Sequence, residues 1–445
     1  MSDLTKGNVA GVILKFALPM LLGNVFQQLY SIVDAVIVGK FIGKDALAAV
    51  GASYPIIFTI IALVIGIGSG ASVVISQYFG AKDFDKVRRA IDTVNIFLLI
   101  TGVGISVIGI ASSRWLFTLL QLPEELMGPA VTYLNIYLMG MVVFFGFNGT
   151  TSILRGIGDS KTPLYFLIIA TIVNIGLDLL FVVVFKWGIA GAAWATVISQ
   201  VGAFGTAILY LNRSHNLIRF AIRGLIFDWE IFRQSIRIGL PTGIQQTFVA
   251  LGMMALMGIV NTFGTNVIAG YTAAGRIDSI AGLPAMSISM ALSVFVGQNL
   301  GAGRVDRIRM GLNSSLQIAS IISIITTICA ILWSEPLMKI FTTDPEVIAV
   351  GKEYLVIVSL FYVVFSTMFV FNGLLRGAGA TLIPMFVTLF SLWLIRIPLA
   401  WFLSKHIGVQ GIWWSIPIAW FIGMVCSYIY YKMGNWKDKA VVKGI

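Results

Sequence analysis

Two aspartates lie inside runs of apolar residues, where a carboxylate is costly. Asp34 sits in "LYSIVDAVIVGK" (29–40) and Asp178 in "TIVNIGLDLLF" (171–181). From Val12 to Gly39 the only charges are Lys15 near the start and Asp34. An unpaired carboxylate in such surroundings costs on the order of several kcal/mol unless it is hydrated, paired or protonated. Desolvation and a second carboxylate nearby both favour the protonated acid. Two such acids side by side can hold one proton near neutral pH and release it when a cation or water arrives. The titration then belongs to the pair.

Spacing supports the pairing. Asp34 precedes Lys40 by six residues and Asp178 precedes Lys186 by eight, and each lysine marks the outer end of its run. At the rise of an α-helix, both acids lie roughly 9–12 Å below one membrane boundary. Polar residues accompany them. Asn174 shares a helix face with Asp178, four residues on. Gln27 and Tyr30 lie on the stripe of Asp34. Thr196 falls at a similar depth in the following run, whereas Asn148 counts as too deep. Taken singly, Asn, Gln and Thr of this kind are common glue between helices. Ionisable residues in a membrane mark transport pathways by default. Asp278 is the third acid inside an apolar run, with Arg276 two residues away. Residues two apart on a helix do not face each other, so Asp278 is expected to form a structural ion pair with Arg396.

The elements that carry these residues follow from composition. Of 445 residues 58% are hydrophobic and 11% charged, where a soluble domain carries about 25% charged residues. The chain is read as an all-α integral membrane protein. Apolar runs long enough to cross a core of ~30 Å fall near 13–39, 47–79, 90–112, 131–154, 162–185 and 189–211. Six more fall near 235–262, 267–300, 311–333, 353–374, 383–403 and 409–431, giving 12 transmembrane helices. The expected organisation is an amino-terminal six-helix lobe (1–211), a cytoplasmic linker (212–234), a carboxy-terminal six-helix lobe (235–431) and a cytoplasmic tail (432–445). No cleavable signal is expected at the amino terminus. Prolines at 19, 241 and 284 can kink the helices that contain them.

The halves repeat. "FALPMLL" (16–22) answers "IGLPTGI" (238–244), and "SQYFGAKDFDKVRRA" (76–90) answers "GQNLGAGRVDRIRMG" (297–311). "ILRGIGDSKTP" (153–163) answers "LLRGAGATLIP" (374–384), and "WGIAGAAW" (187–194) answers "IGVQGIWW" (407–414). The offset stays between 220 and 222 residues. An even number of helices per half makes the repeat parallel, with a pseudo-two-fold axis along the membrane normal. The acids break that symmetry. Positions equivalent to Asp34 are Ala255 or Leu256, and the position equivalent to Asp178 is near Pro398.

Charge sets the orientation. Of the 30 Lys and Arg, 21 fall on the side of the termini, seven opposite, and Arg276 and Arg396 lie within helices. Basic residues favour the cytoplasm, so both termini are placed there. The net charge of +11 is explained this way, and no nucleic-acid partner is expected. The linker is basic enough to lie on an anionic leaflet, although a plain connector explains it as well. Cys329 and Cys426 form no metal or disulfide pattern. His215 and His406 lie in loops, without a nucleophile or metal-binding spacing. The glycine run "VIGIGSGAS" (64–72) has no strand before it, so it is no phosphate loop. Enzyme activity, cofactors and a resident metal are not expected.

Twelve helices in a parallel repeat, "LRGIGDSKTP" after the fourth helix and "VDAVIVG" at Asp34 together resemble the multidrug and toxic compound extrusion (MATE) family, over essentially the whole chain. The nearest branch is the DinF-like prokaryotic one. The resemblance implies a V-shaped pair of lobes and a secondary antiporter in the plasma membrane of a prokaryote. It would export organic cations or amphipathic drugs in exchange for H⁺ or Na⁺ by alternating access. The implied coupling network is Asp34, Asn174, Asp178 and Thr196, with Gln27, Tyr30 and Asn148 around the same cavity and Pro19 as the hinge. The seventh and tenth helices offer Gln245, Gln246 and Asn372, not the carboxylates of the Na⁺-linked branch. That favours H⁺, although the oxygen-only network also suits Na⁺. A monomer among membrane lipids is expected. A lipid-linked-precursor flippase of the same superfamily and a channel or receptor stand as alternatives.

Overall fold

Acids outside the apolar runs begin helices. The structure, a computed structural model, describes residues 3–214 and 224–442, so 215–223 of the expected linker, His215 included, lie outside the described residues. The Asp83 carboxylate accepts from the Lys86 amide at 3.1 Å, and that of Asp159 accepts from Lys161 and Thr162 at 3.1 and 3.0 Å. Asp228 accepts from Glu230 and Ile231, and Asp344 from Glu346. Each satisfies backbone donors that the first helical turn leaves free.

Between these caps run the expected spans: α1 (Val9–Ile42), α2 (Asp45–Gly80), α3 (Phe84–Leu119), α5 (Lys161–Val184), α6 (Gly188–Arg213), α7 (Trp229–Phe263), α8 (Thr265–Gly301), α9 (Val305–Leu332), α11 (Leu382–Ile407) and α12 (Val409–Met433). Two more, α4 (Glu124–Met139 and Met141–Gly156) and α10 (Pro345–Ser359 and Tyr362–Gly377), are each broken by a bend, of 51° and 53°. That gives 12 spans among the described residues. The breaks were not expected, because hydrophobicity continues through them. They are matched across the repeat. Ser106 donates to the Leu138 carbonyl and Thr327 to the Ser359 carbonyl, both at 2.6 Å. These hydroxyls bond carbonyls at the two breaks. π-helical turns are also matched, Leu179–Val184 in α5 and Phe390–Arg396 in α11. A third, Val38–Ile42, ends α1.

The described chain falls into two compact units. One comprises Leu22–Phe79 and Asp83–Arg237, the other Asp3–Leu21, Gly80–Lys82 and the chain from Ile238. The boundary thus runs through two repeat-related helices, α1 just after Pro19 and α7 just before Pro241. The first residues, expected with the amino-terminal lobe, group with the second unit for a physical reason. Leu4, Ile13, Phe16, Ala17 and Met20 are buried in one cluster with Leu292, Phe295 and Phe371. The Leu4 amide donates to the Gln298 side chain at 3.0 Å, and Arg304 donates to the Thr5 carbonyl at 2.8 Å. The expected tail also packs here, with Trp436 buried in the same cluster.

In the second unit α8 and α10 approach backbone to backbone. A side chain at Gly373 or Gly377 would overlap the carbonyls of Ser289 and Ser293. Small residues four apart permit such contact in a bilayer, where packing rather than water drives association. Gly377→Val is expected to destabilise the protein by about 1–3 kcal/mol through overpacking. A lowered melting temperature in detergent checks this; an unchanged one would show that α8 and α10 do not pack so closely.

Candidate functional site

Asp178 is the last α-helical residue of α5 before its π-turns, and Asp34 precedes the π-turn of α1 by four residues. The two π-segments touch each other, and each touches α6. π-turns within α-helices occur mostly at functional sites. Here they are where α1, α5 and α6 meet.

Asp178, Asn174 and Thr196 are buried, Asp178 completely. The carboxyls of Asp34 and Asp178 lie within hydrogen-bonding reach of each other. Neither can donate when both are ionised, so the contact becomes a hydrogen bond only when they share a proton. Among the described residues no other group donates to either oxygen of Asp178 or to Oδ1 of Asp34. Both polar atoms of the Asn174 amide are likewise without a partner. Buried polar atoms normally have one; these five do not.

Tyr30 and Thr196 join α1 to α6, with their hydroxyls 3.2 Å apart. Thr196 Oγ1 also lies 3.1 Å from the Ala192 carbonyl. That carbonyl only accepts, so the threonine proton goes there and Tyr30 donates to Thr196. The remaining residues expected around the cavity are not joined to the acids. Gln27 is exposed. Asn148 donates to the Phe144 carbonyl of its own helix at 2.8 Å, the bond that a polar residue four positions along a helix most readily makes.

Two residues not singled out from the sequence belong to the site. Tyr133 and Tyr137, both buried in the first arm of α4, lie within electrostatic reach of Asp34. Their rings are stacked 6.3 Å apart, and Tyr137 stacks on Phe144 at 4.6 Å. Their four-residue spacing was the available signal. Beyond the acids, toward the ends of α1 and α5, a cavity of about 400 Å³ is lined by Phe41, Ile42, Val182, Val183, Lys186 and Gly188.

Asp278 corrects an expectation. Its carboxylate accepts from Tyr354 at 3.2 Å and Tyr362 at 2.8 Å. Arg396 acts on it from a distance instead of forming the contact ion pair expected. Two hydroxyls already fill the carboxylate's near positions.

The family model described as MatE matches the chain twice, over residues 19–180 and 241–402, with both ends displaced by 222 residues. The chain belongs to the MATE family. The doubled match is the repeat read from the sequence, and its first copy includes Asp34, Asn174 and Asp178. As a MATE-family protein it is a membrane transporter and not an enzyme. It is 34% identical over 435 residues to "Probable multidrug resistance protein YpnP" of Bacillus subtilis (strain 168), covering 98% of this chain and 97% of that one. It is 28% identical over 441 residues to "Probable multidrug resistance protein NorM" of Thermotoga maritima, covering 97% and 94%. A solved structure of a multidrug resistance MATE family transporter, in an outward-facing conformation, has the same fold, with a TM-score of 0.92, 24% identity and 98% of each chain covered.

Proposed function

We propose that this chain exports cationic or amphipathic organic compounds from a prokaryotic cell in exchange for inward H⁺. It would act by alternating access in the plasma membrane, with both termini in the cytoplasm. The observation that carries this reading is the pair of interacting carboxyls, half-buried Asp34 and fully buried Asp178. A shared proton satisfies both, and an arriving organic cation replaces it electrostatically. Half-buried Tyr30 and buried Tyr133 and Tyr137 supply flat aromatic surface of the kind that binds organic cations. The names of the relatives agree with drug-like substrates.

A second reading is Na⁺ coupling. The Asn174 oxygen without a partner, with the Asp178 oxygens four residues along the same helix, offers an all-oxygen set that suits a hard cation. Proteoliposomes loaded by uptake of a fluorescent organic cation separate the two. A pH gradient in Na⁺-free medium is expected to drive uptake, and a Na⁺ gradient at fixed pH is not. The reverse pattern establishes Na⁺ coupling. Failure of both gradients overturns antiport and favours the flippase or channel readings.

A further inference from the structure

Asp278 on α8 is a carboxylate that the acid pair does not use. Its two bonded tyrosines come from opposite sides of the break in α10: Tyr354 from Pro345–Ser359 and Tyr362 from Tyr362–Gly377. In a straight helix, residues eight apart lie about 12 Å apart along the axis and roughly 80° apart around it. One carboxylate cannot collect both hydroxyls from such a helix. It does so here because α10 turns between them.

The first unit shows what is unusual. Its matching helix, α4, breaks at Gly140, a residue that readily adopts irregular backbone conformations. With the offset of 221, Gly140 corresponds to Phe361, so the break in α10 has no glycine, and "SLFYV" (359–363) has no proline. Kinks ordinarily have such a local cause. Thr327 supports the Ser359 carbonyl as Ser106 supports Leu138, so that contact is common to both breaks. What the second unit has in addition is the clamp. Tyr354 corresponds to Tyr133, but Asp278 and Tyr362 correspond to Ile57 and Met141, which can make no such bonds. The clamp is set in packed aromatic surroundings. Trp413 stacks on Tyr271 at 5.5 Å and meets Tyr354 edge-on at 5.1 Å. The other charged or titratable groups around Asp278 are Arg396 of α11 and Tyr271 of α8.

We infer that Asp278 is a positioning residue for transport, whose carboxylate, bound by Tyr354 and Tyr362, holds α10 in the bent form that the transport cycle uses. This goes beyond the coupling site, since Asp278 lies in the other unit.

The test compares wild type with Asp278→Asn, Asp278→Glu and the double variant Tyr354→Phe/Tyr362→Phe. Hydrogen–deuterium exchange of purified protein reads the amides around the break, residues 357–365, at one fixed pH without substrate or Na⁺. Hydrogen bonds to a charged group are strong, and each one lost should raise local opening roughly tenfold or more. Asp278→Asn and the double tyrosine variant are expected to raise exchange there alone and to lower the maximal dye-transport rate while leaving the half-saturating concentration within about twofold, because no substrate contact is removed. Asp278→Glu, which keeps the charged acceptor, is expected to restore both. Unchanged exchange at 357–365 in both variants would overturn the inference. So would a rise spread evenly over the second unit, which marks general destabilisation. The exchange result stands or falls independently of which ion drives transport.

Discussion

Asp34→Asn is expected to reduce coupled efflux to the level of cells lacking the transporter, with normal amounts of folded protein. Asparagine has nearly the same shape, so α1 still packs against α5 and α6. It carries no exchangeable proton and no charge for an arriving cation. Folding should not suffer, because Oδ1 of Asp34 is buried and accepts no hydrogen bond among the described residues, and buried unpaired charge is a cost. Resistance of cells to a cationic drug, measured beside protein level in the membrane fraction, checks both halves. Wild-type resistance in the variant would leave Asp34 a packing residue.

Asp178→Asn has the second largest expected effect, on pH dependence. Protonation of the pair removes negative charge, so a cationic substrate should bind weakly at low pH and more tightly as pH rises. A coupling of about 1–3 kcal/mol corresponds to about 5–150-fold in affinity. Asp178→Asn removes the carboxyl that shares the proton and should flatten most of that dependence. Tyr30→Phe is the contrast. Its hydroxyl serves Thr196 and not the acids, so the variant should keep the pH dependence while altering affinity. Equilibrium binding of a fluorescent cation to purified protein from pH 5 to 9 distinguishes them. Equal pH dependence in wild type and Asp178→Asn would show that Asp178 takes no part in proton binding.

How much of this was readable in the sequence differs by feature, for physical reasons. Span number was legible because a bilayer imposes a length on every crossing helix. The shared depth of the two acids was legible by counting from Lys40 and Lys186, but that α1, α5 and α6 are neighbours was not, because depth fixes no lateral position. Four acids outside the apolar runs cap helices, which capping preference explains once the helix starts are known. The bends of α4 and α10 were not, because apolar residues run through both and α10 has neither glycine nor proline at its break. Nor were the π-turns, since inserting one residue per turn leaves composition unchanged. Leu4 and Trp436 looked like parts of flanking segments, and only tertiary packing puts them in a core. Asp278 showed the limit of pairing by charge sign. Arg396 was the evident counter-ion, but two tyrosine hydroxyls, each ordinary in an apolar helix, hold the carboxylate. Tyr133 and Tyr137 were hidden likewise, because an aromatic pair at helical spacing is commonplace until an acid is placed beside it.

The central claim is that the Asp34–Asp178 pair gives up a proton when substrate binds. The most direct measurement adds an organic cation to purified protein in weakly buffered, Na⁺-free solution and counts the protons released into the medium. At a pH where the pair holds its proton, wild type is expected to release about one proton per substrate bound, the reciprocal of its pH-dependent affinity. Whatever binding Asp34→Asn retains should release no proton. Saturable binding to wild type with no proton released anywhere between pH 5 and 9 would contradict the account.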